Sequence, residues 1–304
     1  MAIKRVLITG GTGILGKALI DNCPVDIQIF VTYLRDCWDS KLTCPAMQLD
    51  VTNKEKTLRV VTEWACPDVV IHAAGIGNVD FVENNRLIAR SINVDGTSNI
   101  IDACRHNNIK LIYISTNAVF DGEKSPYAED SERLPLNYYG RLKVEAENLV
   151  LNSGLEYSIV RAILMYGWHF HQSRVNPVTN WIRLLSEGKT INVVNDRYSQ
   201  PLLAEDCANI IWEIVNRDKI GVYHVSGADR VSLFEFAIKT AEIFGFNKQL
   251  IQSVLSSYFP EIAPRPVDTS FSTIKIKKEI SVRPKGIMEG LERMKETNSI
   301  WRLK

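Results

Sequence analysis

The fold class expected of this 304-residue chain is α/β, a doubly wound parallel sheet joined to a smaller mixed α/β C-terminal lobe. Three observations predict it. Short, nearly continuous apolar runs alternate with segments of helical spacing, the first run ends in a glycine-rich turn, and the alternation loosens beyond Tyr166. Continuous apolar runs suit strands buried on both faces, and strands separated by helices imply right-handed βαβ crossovers.

Taken in order, Ile3 to Thr9 reads as a strand stopped by a glycine cluster, and Gly13 to Ile20 has helical spacing. Further strands are expected at 27–32, near 47–49, and at 69–73, 111–115 and 157–161. Between them fall a helix over 53–64, a long one ending near Cys104, and one from about 136 to 151. The second half predicts helices at 178–187, 204–216 and 233–244, with strands at 190–194 and 221–225. Residues 1–165 are therefore expected to form the first domain and 166–304 mainly the second. No Gly/Ser-rich or Pro-rich spacer separates them, so the two are expected to interweave.

Composition narrows the function. Apolar content of 45%, charged content of 23% and a net charge of +1 suit a soluble globular protein and argue against nucleic acid or a membrane as partner. The six cysteines show no two-residue spacing and read as reduced thiols. The start of the chain lacks the apolar length of a signal peptide, and no run approaches 18 apolar residues, so a cytoplasmic protein is expected. A homodimer is the default for a symmetric soluble enzyme.

Thr9-Gly10-Gly11-Thr12-Gly13-Ile14-Leu15-Gly16 lies between the first strand and the first helix. Glycines at 10, 13 and 16 permit a tight turn, close approach to a pyrophosphate and close helix packing, while the helix N-terminus offers N–H donors. This is the dinucleotide fingerprint of a Rossmann-type sheet. At the end of the second strand an acid would bond a ribose 2′-hydroxyl and an arginine would accommodate a 2′-phosphate. Arg35 favours NADP(H), Asp36 keeps NAD(H) open, and Arg35 also reads as an ordinary solvated side chain. Asp50 and Val51 follow the third strand where they can flank an adenine, and Ala73-Ala74-Gly75 follows the fourth, where small residues admit a cofactor.

Tyr139 and Lys143 stand four residues apart on an expected helix, which places phenol and ammonium on one face. A cation beside a phenol favours phenolate and brings proton transfer nearer working pH, as ketone reduction requires. Thr116, at the carboxyl end of the fifth strand, can hold a substrate oxygen beside Tyr139, and Ser115 competes for that role. His169 and His171 alternate around Phe170 without further ligands and read as a polar loop edge, so no metal is expected. Lys275, Lys277 and Lys278 read as a solvated face or, alternatively, as a contact for a diphosphate, and Trp181 as core or as a platform under a base.

Together, TGGTGILG, HAAGIGNVDFVENN with the later Asn93-Val94, STNAVFDG, LNYYGRLKVEAE and VRAILMYG resemble the extended short-chain dehydrogenase/reductases, most closely the dTDP-4-dehydrorhamnose reductases. DRYSQPLLAEDCA and APRPVDTS look like weakened forms of that family's substrate-lobe segments. The resemblance implies reduction of a nucleotide-linked 4-keto-6-deoxy sugar, dTDP-linked, with Tyr139 as proton donor, Lys143 on the nicotinamide ribose and Thr116 on the carbonyl oxygen. It further implies that Ile14 and Leu15 line the pyrophosphate turn, that Asn93 belongs to the cofactor side, and that Val79, Asp80, Asn117 and Arg161 belong to the substrate side. Asn117-Ala118, Leu164 and Ser199-Gln200-Pro201 depart from the family pattern on the sugar side. The missing Asp-Glu pair after the threonine disfavours a 4,6-dehydratase. A 4-epimerase remains open, as does a non-catalytic regulatory subunit resembling the beta subunit of methionine adenosyltransferase.

Overall fold

The computed structural model describes residues 3–35, 44–170, 175–260 and 262–297. The first half runs β1 (Lys4–Thr9), α1 (Ile14–Asp21), β2 (Ile27–Tyr33), β3 (Ala46–Gln48), α2 (Lys54–Arg59), β4 (Val69–His72), α3 (Val79–Asn84), α4 (Arg86–Arg90), α5 (Gly96–His106), β5 (Lys110–Thr116), α6 (Tyr138–Leu151) and β6 (Tyr157–Ala162). After it come β7 (Met165–Tyr166), α7 (Pro177–Ser186), β8 (Ile191–Val194), β9 (Tyr198–Ser199), β10 (Leu202–Leu203), α8 (Ala204–Asn216) and β11 (Gly221–Val225). The chain continues through β12 (Val231–Ser232), α9 (Leu233–Phe244), β13 (Ile251–Val254), α10 (Ile274–Glu279) and α11 (Ile287–Glu296).

Seven parallel strands form the central sheet in the order β11-β6-β5-β4-β1-β2-β3. The order reverses between β1 and β4, and in open α/β sheets ligands bind beyond the carboxyl ends of the strands at such a switch point. Val6, Leu7, Ile8, Val70, Ile71, Leu111 and Ile112 are wholly buried because helices cover both faces. On one face α1 and α8 bury Leu15, Leu19, Ile211 and Trp212, and on the other α5 and α6 bury Ile100, Cys104, Ala146 and Val150. Each buried leucine, isoleucine or valine among them contributes about 1.5–3 kcal/mol by leaving water.

The seventh strand, β11, comes from beyond the second lobe's first strands and pairs parallel with β6 from Gly221↔Ser158 to Val225↔Ala162. The second lobe has its own core, where Tyr166, Trp181, Phe236, Phe244, Leu291 and Met294 pack between α7, α9 and α11. Trp181 stands edge-on to Phe236 at 5.4 Å, so it belongs to that core rather than to a ligand platform. The expected helices at 204–216 and 233–244 and the strand at 221–225 occupy those ranges. The helix expected over 53–64 is instead a short α-helix followed by a π-helical turn over 60–65, and the helix ending near Cys104 is broken the same way at 91–95.

Candidate active site

A cleft of about 580 Å³ opens at the carboxyl ends of β1, β4 and β5, closed on its far side by the second lobe. Its floor is the glycine turn. Gly10 has φ +73°, and a Cβ there would stand 2.7 Å from the Ala74 nitrogen, so only glycine lets β1 turn against the end of β4. Gly13 caps α1 and offers no side chain to its first amides, which leaves these donors for an anion. Gly13, Ile14, Leu15 and Gly16 all line the cleft.

The opposite wall is held from beneath by a buried histidine. Thr9 donates to His72 Nδ1 at 2.7 Å, His72 Nε2 donates to Thr97 at 3.2 Å, and Thr97 donates to the Asn93 carbonyl at 2.8 Å. Burial and the nearby Lys143 push the His72 pKa down to about 3, so the ring is neutral. Asn93 in turn accepts from the Ile76 amide at 2.8 Å and donates to the Ile76 carbonyl at 3.1 Å. This pins the stretch from Ala73 to Gly77 along the cleft.

Thr116, Tyr139 and Lys143 meet in the same cleft. Asn137 caps α6 by accepting from the Gly140 amide at 2.9 Å, which aims the first turn inward. The Tyr139 side chain faces Thr116, which favours the phenolate, yet burial outweighs this and pushes its phenol up rather than down. Lys143 Nζ donates to the Ile114 carbonyl at 2.7 Å and lies 4.2 Å from the centre of the Tyr113 ring. Desolvation brings the Lys143 pKa down to about 7. The lowered phenol expected from the sequence is thus not a property of the protein alone, because the loss of water outweighs the effect of Thr116 at Tyr139 and that of Glu147 at Lys143.

The choice between Ser115 and Thr116 follows from strand alternation. Ser115 donates to Glu147 at 2.5 Å inside the molecule, whereas the Thr116 oxygen accepts from Ala118 N at 3.2 Å and meets Tyr139 at the cleft.

Other expected residues fall elsewhere. Arg161 is buried within the sheet layer, with Nε and Nη2 donating to Glu147 at 3.0 and 2.8 Å, and it does not line the cleft. Asp80 is paired with Arg265 at 2.7 Å, and of the two it is Arg265 that lines the cleft, alongside Val79. Asp50 accepts from Thr52 in a local turn and Val51 packs under Gly96, both outside the lining residues. Arg35 is exposed just after β2, while Asp36 and His171 lie outside the described residues. Lys275 donates to the Val222 carbonyl, and neither it nor Lys277 or Lys278 lines the cleft. Among the described residues no group of His, Cys, Asp or Glu could hold a metal, and no helix is long and apolar enough to cross a membrane.

The segment after β6 supplies Leu164, and the second lobe Arg197, Tyr198, Ser199, Arg265 and Thr269, to the cleft wall. Two cations there, Arg197 and Arg265, escape a motif search because they stand far apart in sequence from each other and from the glycine turn. Asn117 donates to Thr269 across the cleft, so the departures at Asn117, Leu164 and Ser199 all lie at the cavity itself.

A glycine turn at the switch point with Thr116, Tyr139 and Lys143 beyond it defines an NAD(P)-dependent oxidoreductase of the extended short-chain type. The RmlD substrate binding domain model matches residues 4–299, and the chain belongs to that family. It is similar to the dTDP-4-dehydrorhamnose reductase of Bacillus anthracis str. Ames, solved in complex with NADP, with a TM-score of 0.86, 32% identity and coverage of 97% of this chain and 99% of that one. The dTDP-4-dehydrorhamnose reductase of Aggregatibacter actinomycetemcomitans is 29% identical over 309 residues, covering 96% of this chain and 99% of its own. The methionine adenosyltransferase 2 subunit beta of Bos taurus is 26% identical over 261 residues, 84% of this chain and 76% of its own.

Proposed function

We propose that this protein reduces the keto group of a dTDP-linked 4-keto-6-deoxy sugar, with NADPH preferred over NADH. The observation that carries the reading is the convergence of Thr116, Tyr139 and Lys143 on one cleft floored by the glycine turn. The residues present fit a dinucleotide: uncapped α1 amides, a Gly10 whose Cβ would collide with the wall, and small residues from Ala73 to Gly77. When bound there, the dinucleotide supplies hydride to the keto carbon.

Thr116 and Tyr139 hold the carbonyl oxygen by hydrogen bonds, and Tyr139 gives its proton to that oxygen as negative charge develops on it. Lys143, charged, offsets the phenolate left behind and holds the ribose beside it. Arg197 and Arg265 face the cleft from the second lobe and neutralise the substrate's diphosphate. The exposed Arg35 after β2 is read as the contact for a 2′-phosphate. Tyr139→Phe removes the proton donor, and turnover of dTDP-4-keto-6-deoxyhexose with NADPH should fall by about 10²–10⁴. Full turnover in that variant would refute the mechanism.

The relatives named methionine adenosyltransferase 2 subunit beta support a second reading, a cofactor-binding regulatory subunit. Stable capture of a methionine adenosyltransferase, with no NADPH oxidation on any dTDP-keto sugar, would favour it over the reductase.

A further inference from the structure

On α6, Tyr139, Lys143 and Glu147 repeat every four residues and form one row facing β5. Three consecutive residues of β5 receive them. Thr116 meets Tyr139, the Ile114 carbonyl accepts from Lys143, and Ser115 donates to Glu147 Oε1 at 2.5 Å. Glu147 is wholly buried. Its Oε1 also accepts from Arg161 Nε at 3.0 Å, and its Oε2 accepts from Arg161 Nη2 at 2.8 Å and from Arg133 Nη1 at 3.0 Å. A carboxylate so far from water, one helical turn beyond the lysine, is costly unless its charge is used.

We propose that Glu147 is a positioning residue for the reductase chemistry: a buried anion, clamped to β5 through Ser115, that keeps the Lys143 ammonium charged and holds α6 in register with β5. The inference rests on the reductase reading for its consequence in turnover, but not for its effect on Lys143.

The groups facing Lys143 are few. Tyr139 and Glu147 share its helix, Tyr113 on β5 lies under its ammonium, and neutral His72 approaches from β4. Burial discharges the lysine, and Glu147 opposes that loss. Facing Glu147 are Arg161 from β6, Arg133 from the loop before α6, and Ser115, with Tyr113 on β5 close enough to feel its charge. Behind Arg161 the His224 ring on β11 receives the guanidinium at Nε2, 3.1 Å away, and donates from Nδ1 to the Tyr127 carbonyl. That ring is neutral, pushed down to about 3 by burial and Arg161. Among these groups Glu147 is the one anion within reach of Lys143.

The test is a titration of Lys143 in lysine-labelled protein without ligand, followed by NMR, with its resonance identified by loss in Lys143→Arg. A midpoint near 7 is expected for the unaltered chain, and Glu147→Gln should lower it by about one pH unit, a tenfold change in the ratio of charged to neutral lysine. Glu147→Asp should restore it, and the alkaline limb of kcat/KM should move with the midpoint in each variant. Should Glu147→Gln fail to fold, the pair Glu147→Gln with Arg161→Gln removes the anion without stranding its buried partner, leaving only the partly exposed Arg133, and the shift should have the same direction. An unmoved midpoint in a folded variant, or a loss of turnover equal at every pH, would overturn the proposal. Absence of turnover in the unaltered protein would instead refute the reductase reading, and the titration would still decide the role of Glu147.

Discussion

Gly140 is where a single methyl group should do most damage to the chemistry without touching a reacting atom. It sits in the first turn of α6, directly after Tyr139, and is buried against the turn that follows β5. A Cβ at Gly140 would stand 2.1 Å from the Ala118 carbonyl oxygen and 2.8 Å from Pro135 Cβ, whereas real contacts stay beyond 3.0 Å. Both neighbours are stiff, one of them backbone, so α6 and the Ala118 turn must separate by about 0.9 Å in Gly140→Ala. Tyr139 moves with the helix and Thr116 with the turn, so their separation absorbs the shift. Displacement of this size in a reacting pair costs about a hundredfold, or about 2.7 kcal/mol of transition-state stabilisation. Overpacking should also lower stability by about 1–3 kcal/mol. Steady-state kinetics with NADPH and a dTDP-4-keto-6-deoxyhexose should place the loss in kcat, while dinucleotide binding, followed by NADPH fluorescence, changes little. Turnover within threefold of the unaltered protein would refute the argument that contact between α6 and Ala118 sets the Tyr139–Thr116 geometry.

Arg161→Ala should act on stability rather than on substrate affinity, because it strips two donors from a wholly buried Glu147; a loss of about 3–5 kcal/mol in urea unfolding is expected, and a raised KM at unchanged stability would contradict it. Acidification should destabilise the fold before most carboxylates titrate. His72 and His224 have folded pKa values of about 3 against 6.5 for a free ring, so below pH 6.5 the unfolded chain binds more protons and stability falls. Between pH 6.5 and pH 5 the two together should cost at most about 3 kcal/mol, and urea midpoints that stay level over that range would show that the rings are not held neutral.

The doubly wound half was readable because its physics is local. β1, β4 and β5 are buried on both faces and therefore read as unbroken apolar runs, and glycine is required where β1 turns at positive φ against Ala73 and Ala74. The amphipathic helices α8 and α9 announce themselves in the same way, by one apolar stripe apiece. What escaped reading depends on partners distant in sequence. The two-residue strands β7, β9, β10 and β12 exist only through their pairing, and no pattern of length two is a signal. Arg161 stands one residue from the cleft-lining Ala162, yet strand alternation turns it to Glu147, and only the packed helix reveals which face is the interior. Arg197 and Arg265 reach the cleft from loops that the first half of the chain does not foretell.

The late arrival of β11 has a consequence for how the molecule is made. Until Gly221–Val225 emerges, β6 is an open edge, and its unpaired backbone groups flank a charged pair, Arg161 and Glu147, that later becomes fully dry. At a synthesis rate of about 5–20 residues per second, the stretch between Ala162 and Gly221 keeps that edge waiting for about 3–12 s. A chain stopped after residue 165 would hold every residue of the glycine turn and the Tyr139–Lys143 pair, yet present a sticky rim that recruits other copies. The second lobe is thus threaded through the completion of the first, and the two are expected to reach their native form in one event rather than in succession.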